Sequence, residues 1–169
     1  LSFLGATADI ALGVNPPQPP FLVVDIGGGS TEFVLGTHHP THARSTDVGC
    51  VRMTERHLRS DPPTSAEIAA ATRDIDAAIQ LAGDSVPLQA AGSLIGLAGS
   101  VTTVAALALG LDHYDSERIH ASRISAADVH RVTEELLGMT RDQRSRLGPM
   151  HEGRVDVIGA GALVLDRIM

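Results

Sequence analysis

The residues with the clearest chemical potential form a run of acids and glycines early in the chain. Asp25 closes an apolar stretch, and Glu32 follows after three glycines and two hydroxyl residues, in the run Asp25-Ile26-Gly27-Gly28-Gly29-Ser30-Thr31-Glu32. Consecutive glycines allow a tight backbone turn whose N–H groups converge on one anion. Carboxylates bind Mg²⁺ together with phosphate oxygens. The run therefore predicts a magnesium-assisted phosphoryl site, with Asp25 and Glu32 as metal ligands. The alternative is a hairpin turn with a solvated Glu32.

A second anion site is indicated in the middle of the chain, at Leu97-Ala98-Gly99-Ser100-Val101-Thr102-Thr103. An apolar strand ends there, a glycine turns the backbone, and an apolar helix begins. The free N–H groups and the positive dipole end of such a helix attract phosphate. Taken alone the pattern is common in α/β proteins. We expect Gly99 and Ser100 to face the first glycine loop at one edge of a sheet.

Hydrophobic periodicity predicts the elements that carry these loops. Three strands, joined by turns, are expected at the start: 21–26, 31–35 and 43–48, with a turn at 38–40. A further buried strand is expected at 93–98 and a short one at 119–124. Helices are expected at 50–59, 65–82, 101–109, 126–138, 141–147 and 154–169, the second with Thr64 or Ser65 as its N-cap. The alternation predicts an α/β fold with a mixed sheet, an antiparallel three-strand start and flanking helices.

Composition excludes several classes of function. The 169 residues carry a net charge of −7, and all 13 basic residues are arginine, so chemistry that needs a lysine amine is excluded. The acidic balance argues against nucleic-acid binding. No apolar run is long enough to span a membrane. The single cysteine excludes an internal disulfide framework and is compatible with the cytoplasm, where we expect the protein.

Three stretches carry a resemblance to a known family: the loop Ala98-Gly99-Ser100-Val101-Thr102-Thr103, the segment Gly49-Cys50-Val51-Arg52-Met53-Thr54-Glu55-Arg56, and the segment His151-Glu152-Gly153-Arg154-Val155-Asp156-Val157-Ile158. Together they resemble the Ppx/GppA family of exopolyphosphatases and guanosine pentaphosphate phosphohydrolases, in its short, actinobacterial type. The similarity extends over essentially the whole chain. It implies a ribonuclease H-like fold of the actin/sugar kinase/Hsp70 type. Two such domains face each other across a cleft in the family, and this chain resembles the second.

The resemblance implies roles for individual residues. Asp25 binds Mg²⁺, with Mn²⁺ as an alternative ion. Glu32 binds the metal or positions the attacking water. Gly27, Gly28, Gly29, Ser30 and Thr31 form the phosphate loop, Gly99 and Ser100 form the facing loop, and Arg154 contacts phosphate.

The four prolines within 16–20 indicate that residues 1–20 are an N-terminal segment ending in an extended, proline-rich connector. The resemblance implies that residues 21–169 form one domain. The family's general-base glutamate would precede Leu1, and the first domain and a final strand and helix would lie outside these residues. We therefore expect the 169 residues alone to have little or no turnover. The resemblance implies polyphosphate or a guanosine penta- or tetraphosphate as the substrate, and we expect the first domain or a second copy in a homodimer as the partner.

Two other functions stay open: the ATP-binding domain of a related kinase, or a non-catalytic domain that binds polyphosphate or an alarmone. Few aromatic residues are available for an adenine pocket, which disfavours the kinase. His38, His39 and His42 are more typical of a solvated loop than of a metal site. Arg154 either contacts a polyanion or pairs with Asp156 or Glu152. Arg52 is expected on a solvated helix face, and Cys50 as a small buried residue.

Overall fold

The structure is a computed structural model that describes residues 3–8 and 16–169. Its sheet has four strands: β1 (Phe21–Ile26), β2 (Thr31–Gly36), β3 (Pro40–Thr46) and β4 (Ser93–Leu97). They lie in the order β3-β2-β1-β4, with β1 antiparallel to β2, β2 antiparallel to β3, and β1 parallel to β4. The predicted mixed sheet and its antiparallel start are confirmed.

Eight helices surround this sheet in the described residues: α1 (Phe3–Ala8), α2 (Cys50–His57), α3 (Ser65–Gly83), α4 (Ala98–Ala108), α5 (Ser116–Ile119), α6 (Ala126–Gly138), α7 (Arg141–Ser145) and α8 (Ile158–Ile168). Short 3₁₀ turns lie at Leu88–Ala90 and Glu152–Arg154. The N-terminal segment predicted over residues 1–20 is described only in part, because residues 1–2 and 9–15 lie outside the described ranges.

The two faces of the sheet are covered differently. One face carries Val24, Ile26 and Phe33, which are almost completely buried in the main core with residues of α2, α3, α4, α6 and α8. The other face carries Val23 and Ile95, which pack against Phe3 of α1. Side chains alternate between faces along a strand, so Asp25 lies on the same face as Val23. Asp25 is therefore placed on the face opposite the main core.

Local capping explains where the long helices begin. The Thr64 hydroxyl accepts the Glu67 N–H while the Glu67 carboxylate accepts the Thr64 N–H, a capping box that fixes the start of α3. Ser125 caps α6 in the same way through the Asp128 N–H. Both starts agree with the predictions from sequence.

Two predicted elements are wrong. The strand expected at 119–124 is absent from these residues; instead the Asp115 side chain accepts the N–H groups of Glu117 and Arg118 and starts α5, which ends at Ile119. The last helix begins at Ile158 rather than at Arg154. Residues 152–154 form a 3₁₀ turn capped by His151, so Arg154 precedes the helix.

The parallel pairing of β1 and β4 determines where the two predicted loops meet. Asp25 in β1 lies opposite Leu97 in β4, so the two strands end level with each other. The glycine loop leaves the carboxyl end of β1, and α4 begins directly at the end of β4. Ligands of α/β sheets bind at the carboxyl ends of parallel strands. The topology thus places both loops at one edge of the sheet.

Candidate active site

The glycine loop turns its carbonyl groups toward α2, and within the loop only the Gly27 N–H is bonded, to the Ser30 carbonyl at 2.9 Å. The Gly27 carbonyl accepts the Cys50 N–H at 3.0 Å, and the Gly28 carbonyl accepts those of Val51 and Arg52. These bonds satisfy the first N–H groups of α2, which lacks a side-chain cap. The N–H groups of Gly28, Gly29 and Ser30 have no hydrogen-bond partner in the described residues. Three consecutive amides are thus available to an anion.

Two neighbours hold this loop in place. A Cβ on Gly49 would lie 2.6 Å from the Gly28 carbonyl oxygen and 2.7 Å from that of Gly27, so only glycine lets α2 approach so closely. The Arg52 Nε–H donates to the Gly29 carbonyl at 2.6 Å, and its Nη2 lies 3.5 Å from Asp47. Arg52 lies on an exposed helix face as predicted, with 42% of its side chain exposed, and its guanidinium also fastens the glycine loop to α2.

The two carboxylates meet across neighbouring strands. Asp25 and Glu32 are directly opposite in the β1–β2 register, which puts their Cβ atoms about 5 Å apart on one face of the sheet. Both residues are partly buried. One oxygen of Glu32 accepts the hydroxyls of Ser30 at 2.6 Å and Ser45 at 2.8 Å, while no hydrogen bond to Asp25 is found in the described chain. Like charges in this position repel each other and favour a cation between them.

The Thr31 hydroxyl, which was predicted to bind phosphate, is instead used within the protein. Its side chain is completely buried, and its hydroxyl donates to the Val48 carbonyl at 2.7 Å. Thr46 donates in turn to the Thr31 carbonyl. These contacts give Thr31 a structural part, since they tie the start of β2 to the segment that leads into α2.

The second loop also presents free amides. α4 begins at Ala98 with no side-chain cap, so no capping side chain accepts the N–H groups of its first turn. Ala98 itself adopts a positive φ of 73°. Ser100 is buried, with its side chain against Gly161 of α8. Gly99 and Ser100 lie at the carboxyl end of β4, where Gly99 is partly exposed and Ser100 is buried.

Arg154 lies directly over the start of α4. A Cβ on Gly99 would overlap its guanidinium group, and its Nη1 donates to the Thr103 hydroxyl at 3.3 Å. Arg154 forms no ion pair within the described residues, while Asp156 pairs with Arg141 at 2.7 Å. Of the two alternatives left by the sequence, the contacts therefore favour a role toward a polyanion. Thr103, which sequence analysis did not single out, orients this arginine.

A model of the Ppx/GppA phosphatase family matches residues 5–169. The chain belongs to this family. The Ppx/GppA assignment agrees with the resemblance carried by the three sequence motifs, one of which contains Arg154 and another the loop at Gly99.

Individual relatives support the same assignment. Exopolyphosphatase 2 of Mycobacterium tuberculosis is 48% identical over 168 residues, which are 99% of this chain and 51% of that protein. The guanosine-5'-triphosphate,3'-diphosphate pyrophosphatase of Pseudoalteromonas atlantica is 47% identical over 58 residues, 34% of this chain and 11% of that protein. The chain thus spans about half the length of the exopolyphosphatase.

Solved structures of Ppx/GppA proteins have the same fold. An exopolyphosphatase-like protein superposes with a TM-score of 0.94 at 42% identity, covering 99% of this chain and 53% of its own. A Ppx/GppA protein of Aquifex aeolicus superposes with a TM-score of 0.81 at 26% identity, covering 96% and 52%. These neighbours have the actin-like ATPase fold. The ribonuclease H-like fold predicted from the motifs is confirmed.

The residues present in this Ppx/GppA chain suit a magnesium ion. Mg²⁺ is usually held by one or two carboxylates, with water and substrate phosphates as the other ligands. Asp25 and Glu32 provide two opposed carboxylates beside free amides that can hold phosphate oxygens. No group of three or more His, Cys, Asp or Glu side chains able to hold an ion occurs in the described residues. An ion here would thus depend on substrate oxygens and water.

The histidine candidates lie away from this edge. His38 and His39 are exposed in the turn between β2 and β3, and His42 is exposed on β3, where its Nδ1 lies 3.0 Å from the Thr41 hydroxyl. Cys50 is buried beneath the glycine loop, as predicted.

A larger groove of about 840 Å³ runs along β4 and α4, but neither Asp25 nor Glu32 lines it. In the parts of the chain that the structure describes, no helix has the length and hydropathy of a membrane span.

Proposed function

We propose that this chain forms the phosphate-binding half of a hydrolase that removes the terminal phosphate of inorganic polyphosphate or of guanosine pentaphosphate. One observation carries the proposal: two sets of free backbone amides and two opposed carboxylates lie at the same edge of one sheet. Amides stabilise the charge on phosphoryl oxygens without a cost of reorganisation. The printed names of the relatives, an exopolyphosphatase and a guanosine-phosphate pyrophosphatase, support this class of substrate.

Each residue has a distinct part in the proposal. The amides of Gly28, Gly29 and Ser30 bind one part of the phosphate chain, and the first turn of α4 with Arg154 binds another. Asp25 and Glu32 would hold Mg²⁺, or Mn²⁺ in its place, which when bound neutralises phosphate charge and polarises water. Ser30 and Ser45 orient Glu32 toward this position. The attacking water would be positioned by Glu32.

The proposal includes partners and place of action. Because the chain spans about half of its relatives, catalysis is proposed to need a second domain across the site, and the isolated 169 residues to have little turnover. A homodimer is the alternative source of a facing surface. We propose a cytoplasmic location. A non-catalytic domain that binds polyphosphate or a guanosine tetraphosphate stays an alternative, whereas family membership disfavours a kinase.

Calorimetric titration with a short polyphosphate, with and without Mg²⁺, tests the proposal. We expect binding that requires the metal and that is lost in Asp25→Ala, with the circular dichroism spectrum of the variant unchanged. Asp84→Ala, which removes an exposed carboxylate at the end of α3, is the matched control and should bind normally. Binding that does not depend on Mg²⁺, or that persists in Asp25→Ala, would remove the role given to Asp25.

A further inference from the structure

Gly161, the fourth residue of α8, lies between the two helices that adjoin the candidate phosphate loops. A Cβ at this position would lie 2.6 Å from the Ser100 Cβ in the first turn of α4 and 3.2 Å from the Cys50 Cβ at the start of α2. It would also overlap the Ser100 hydroxyl. All three residues are buried. At Gly161 the backbone of α8 therefore approaches both helices at once.

Each of these neighbours is directly joined to one loop. The Cys50 N–H donates to the Gly27 carbonyl at 3.0 Å, so a displacement of the start of α2 moves the glycine loop with it. Ser100 itself belongs to the first turn of α4, the second loop. The strands that lead into the two loops are paired and end level with each other, about 4.8 Å apart. The sheet thus fixes where both loops begin, and the contact at Gly161 fixes their separation beyond the strand ends.

The backbone conformation does not require a glycine at this position. Gly161 lies inside α8, and its φ is outside the left-handed region. Alanine is more favourable than glycine inside a helix, because glycine loses more conformational entropy on folding. Space is therefore the reason that the structure gives for this glycine. Gly159 in the same helix differs, because a Cβ there would meet Leu137 of α6 at 3.3 Å and would touch neither α2 nor α4.

We propose that Gly161 is a positioning residue that sets the separation between the glycine loop and the first turn of α4, and that this separation favours a chain of phosphates over a single phosphate. The inference rests on the proposed function, because it takes both loops as phosphate sites. A ligand that reaches both loops gains affinity from each, and this gain is lost when the geometry prevents simultaneous contact. A single orthophosphate occupies one loop and is insensitive to the separation.

Calorimetric titration with tripolyphosphate and with orthophosphate, both in Mg²⁺, measures the effect of this separation as a ratio of two affinities. Gly161→Ala should weaken tripolyphosphate binding about tenfold and change orthophosphate binding by less than about twofold. Gly159→Ala makes the same chemical change in the same helix and should leave both affinities as in the parent. The ratio distinguishes positioning from destabilisation, because a loss of folded protein lowers both apparent affinities by the same factor.

An exchange of side-chain size between α4 and α8 tests the contact itself, even if Gly161→Ala alone does not fold. Ser100→Gly removes the atoms that face Gly161 and should lower the ratio, because α4 is then no longer held at its distance from α8. Adding Gly161→Ala to Ser100→Gly supplies a methyl group from the opposite side and leaves only the 3.2 Å approach to Cys50. This double variant should therefore have a higher ratio than Ser100→Gly alone.

The outcomes separate this inference from the proposed function. If a folded Gly161→Ala protein binds both ligands equally weakly or as the parent does, or if the double variant has no higher ratio than Ser100→Gly, the role of Gly161 is overturned and the phosphate site stands. A parent protein that binds tripolyphosphate no more tightly than orthophosphate overturns the inference in the same way. Failure of the parent to bind either ligand counts against the proposed function, and the inference fails with it.

Discussion

At the scale of single residues, two arginines complete the candidate site through contacts that are far apart in sequence. Arg52 bonds the Gly29 carbonyl from α2, and Arg154 covers Gly99 from the turn before α8. Each cation touches one of the two loops for which phosphate binding is proposed. The guanidinium of Arg154 keeps most of its donors unused by the protein, because its single side-chain hydrogen bond in the described residues goes to Thr103. It is thus the arginine best placed to contact a phosphate.

Replacing Arg154 should weaken phosphate binding without unfolding the chain. We expect Arg154→Ala to lower the affinity for tripolyphosphate roughly tenfold or more, since a hydrogen bond to a charged group contributes about 1.5–3 kcal/mol. Calorimetric titration in Mg²⁺ measures the change. Arg131→Ala, which removes an arginine paired with Glu135 on the exposed side of α6, should bind as the parent does. Equal losses in the two variants would mean that Arg154 contributes only general charge.

At the scale of elements, the glycine loop depends on the close approach of α2. The first-turn amides of α2 bond the loop carbonyls, while the N–H groups of Gly28, Gly29 and Ser30 have no partner in the described residues. The segment before α2 contains Gly49, which has no room for a side chain against the carbonyls of Gly27 and Gly28. The conformation of the glycine loop is therefore set by the packing of α2, a helix that follows it by about twenty residues.

A methyl group at this contact should displace the loop. We expect Gly49→Ala to destabilise the fold by about 1–3 kcal/mol, as overpacking does, and to weaken Mg²⁺-dependent phosphate binding more than stability alone would require. Gly138→Ala is the matched control, because a Cβ on Gly138 meets no atom within 4 Å. Chemical denaturation and calorimetry measure the two effects. Normal phosphate binding by a folded Gly49→Ala protein would contradict this account of the loop.

The capping box of α3 gives this element a dependence on pH. The Thr64 N–H, with the Thr64 and Ser60 hydroxyls and the Arg59 N–H, donates to the Glu67 carboxylate and lowers its pKa from 4.5 to about 2. A carboxylate whose pKa is lower in the folded state stabilises the fold above its unfolded pKa, and this stabilisation is lost as the pH falls from 4.5 toward about 2.

The comparison of Glu67→Gln with the parent isolates this contribution. Glutamine can keep a capping box but cannot ionise. We expect the difference in melting temperature between parent and variant to be largest at neutral pH and to shrink below pH 4.5. Melting curves recorded over this range by circular dichroism provide the measurement. A difference that stays constant down to the lowest pH would show that the charge of Glu67 adds nothing to the cap.

At the scale of the whole molecule, a carboxylate in a connecting loop joins distant parts of the chain. Asp61, between α2 and α3, accepts the Arg141 N–H at 2.7 Å at the start of α7 and the Arg144 Nη2 at 3.3 Å. Arg144 is only 8% exposed, and its Nε has no partner. Asp61 is thus the carboxylate that compensates a buried guanidinium beside α8, which packs against α2, α3, α4 and α6.

Removing the Asp61 carboxylate should lower the free energy of unfolding more than removing one partner of a surface ion pair does. Because Asp61 is itself about half exposed, we expect Asp61→Ala to destabilise the fold by roughly 1–3 kcal/mol, less than the removal of a fully buried partner. Asp156→Ala removes the exposed partner of Arg141 and should cost at most about 1 kcal/mol. Urea denaturation of both variants gives the comparison, and equal costs would show that Arg144 is compensated by other groups.

The sequence by itself determined the two glycine turns, the antiparallel start of the sheet, the start of α3 and the family resemblance. These features depend on neighbouring residues: glycine permits the turn, a hydroxyl and a glutamate three residues apart form a cap, and alternation identifies a strand. The predictions at 119–124 and 154–157 failed for the same local reason, because capping by Asp115 and His151 outweighed the apolar pattern.

Only the tertiary structure decided which side chains surround these loops. The bond from Arg154 to Thr103 spans 51 positions, and that from Arg52 to Gly29 spans 23, so no local pattern indicates either of them. A cavity lined by Tyr114 and by residues of the segment 148–154 arises only where these two loops, from different parts of the chain, pack together. Parallel pairing of β1 with β4 brings the N–H groups of the glycine loop and of the first turn of α4 to one edge of the sheet. That pairing depends on contacts between distant residues throughout the core, and short-range sequence preferences do not determine it.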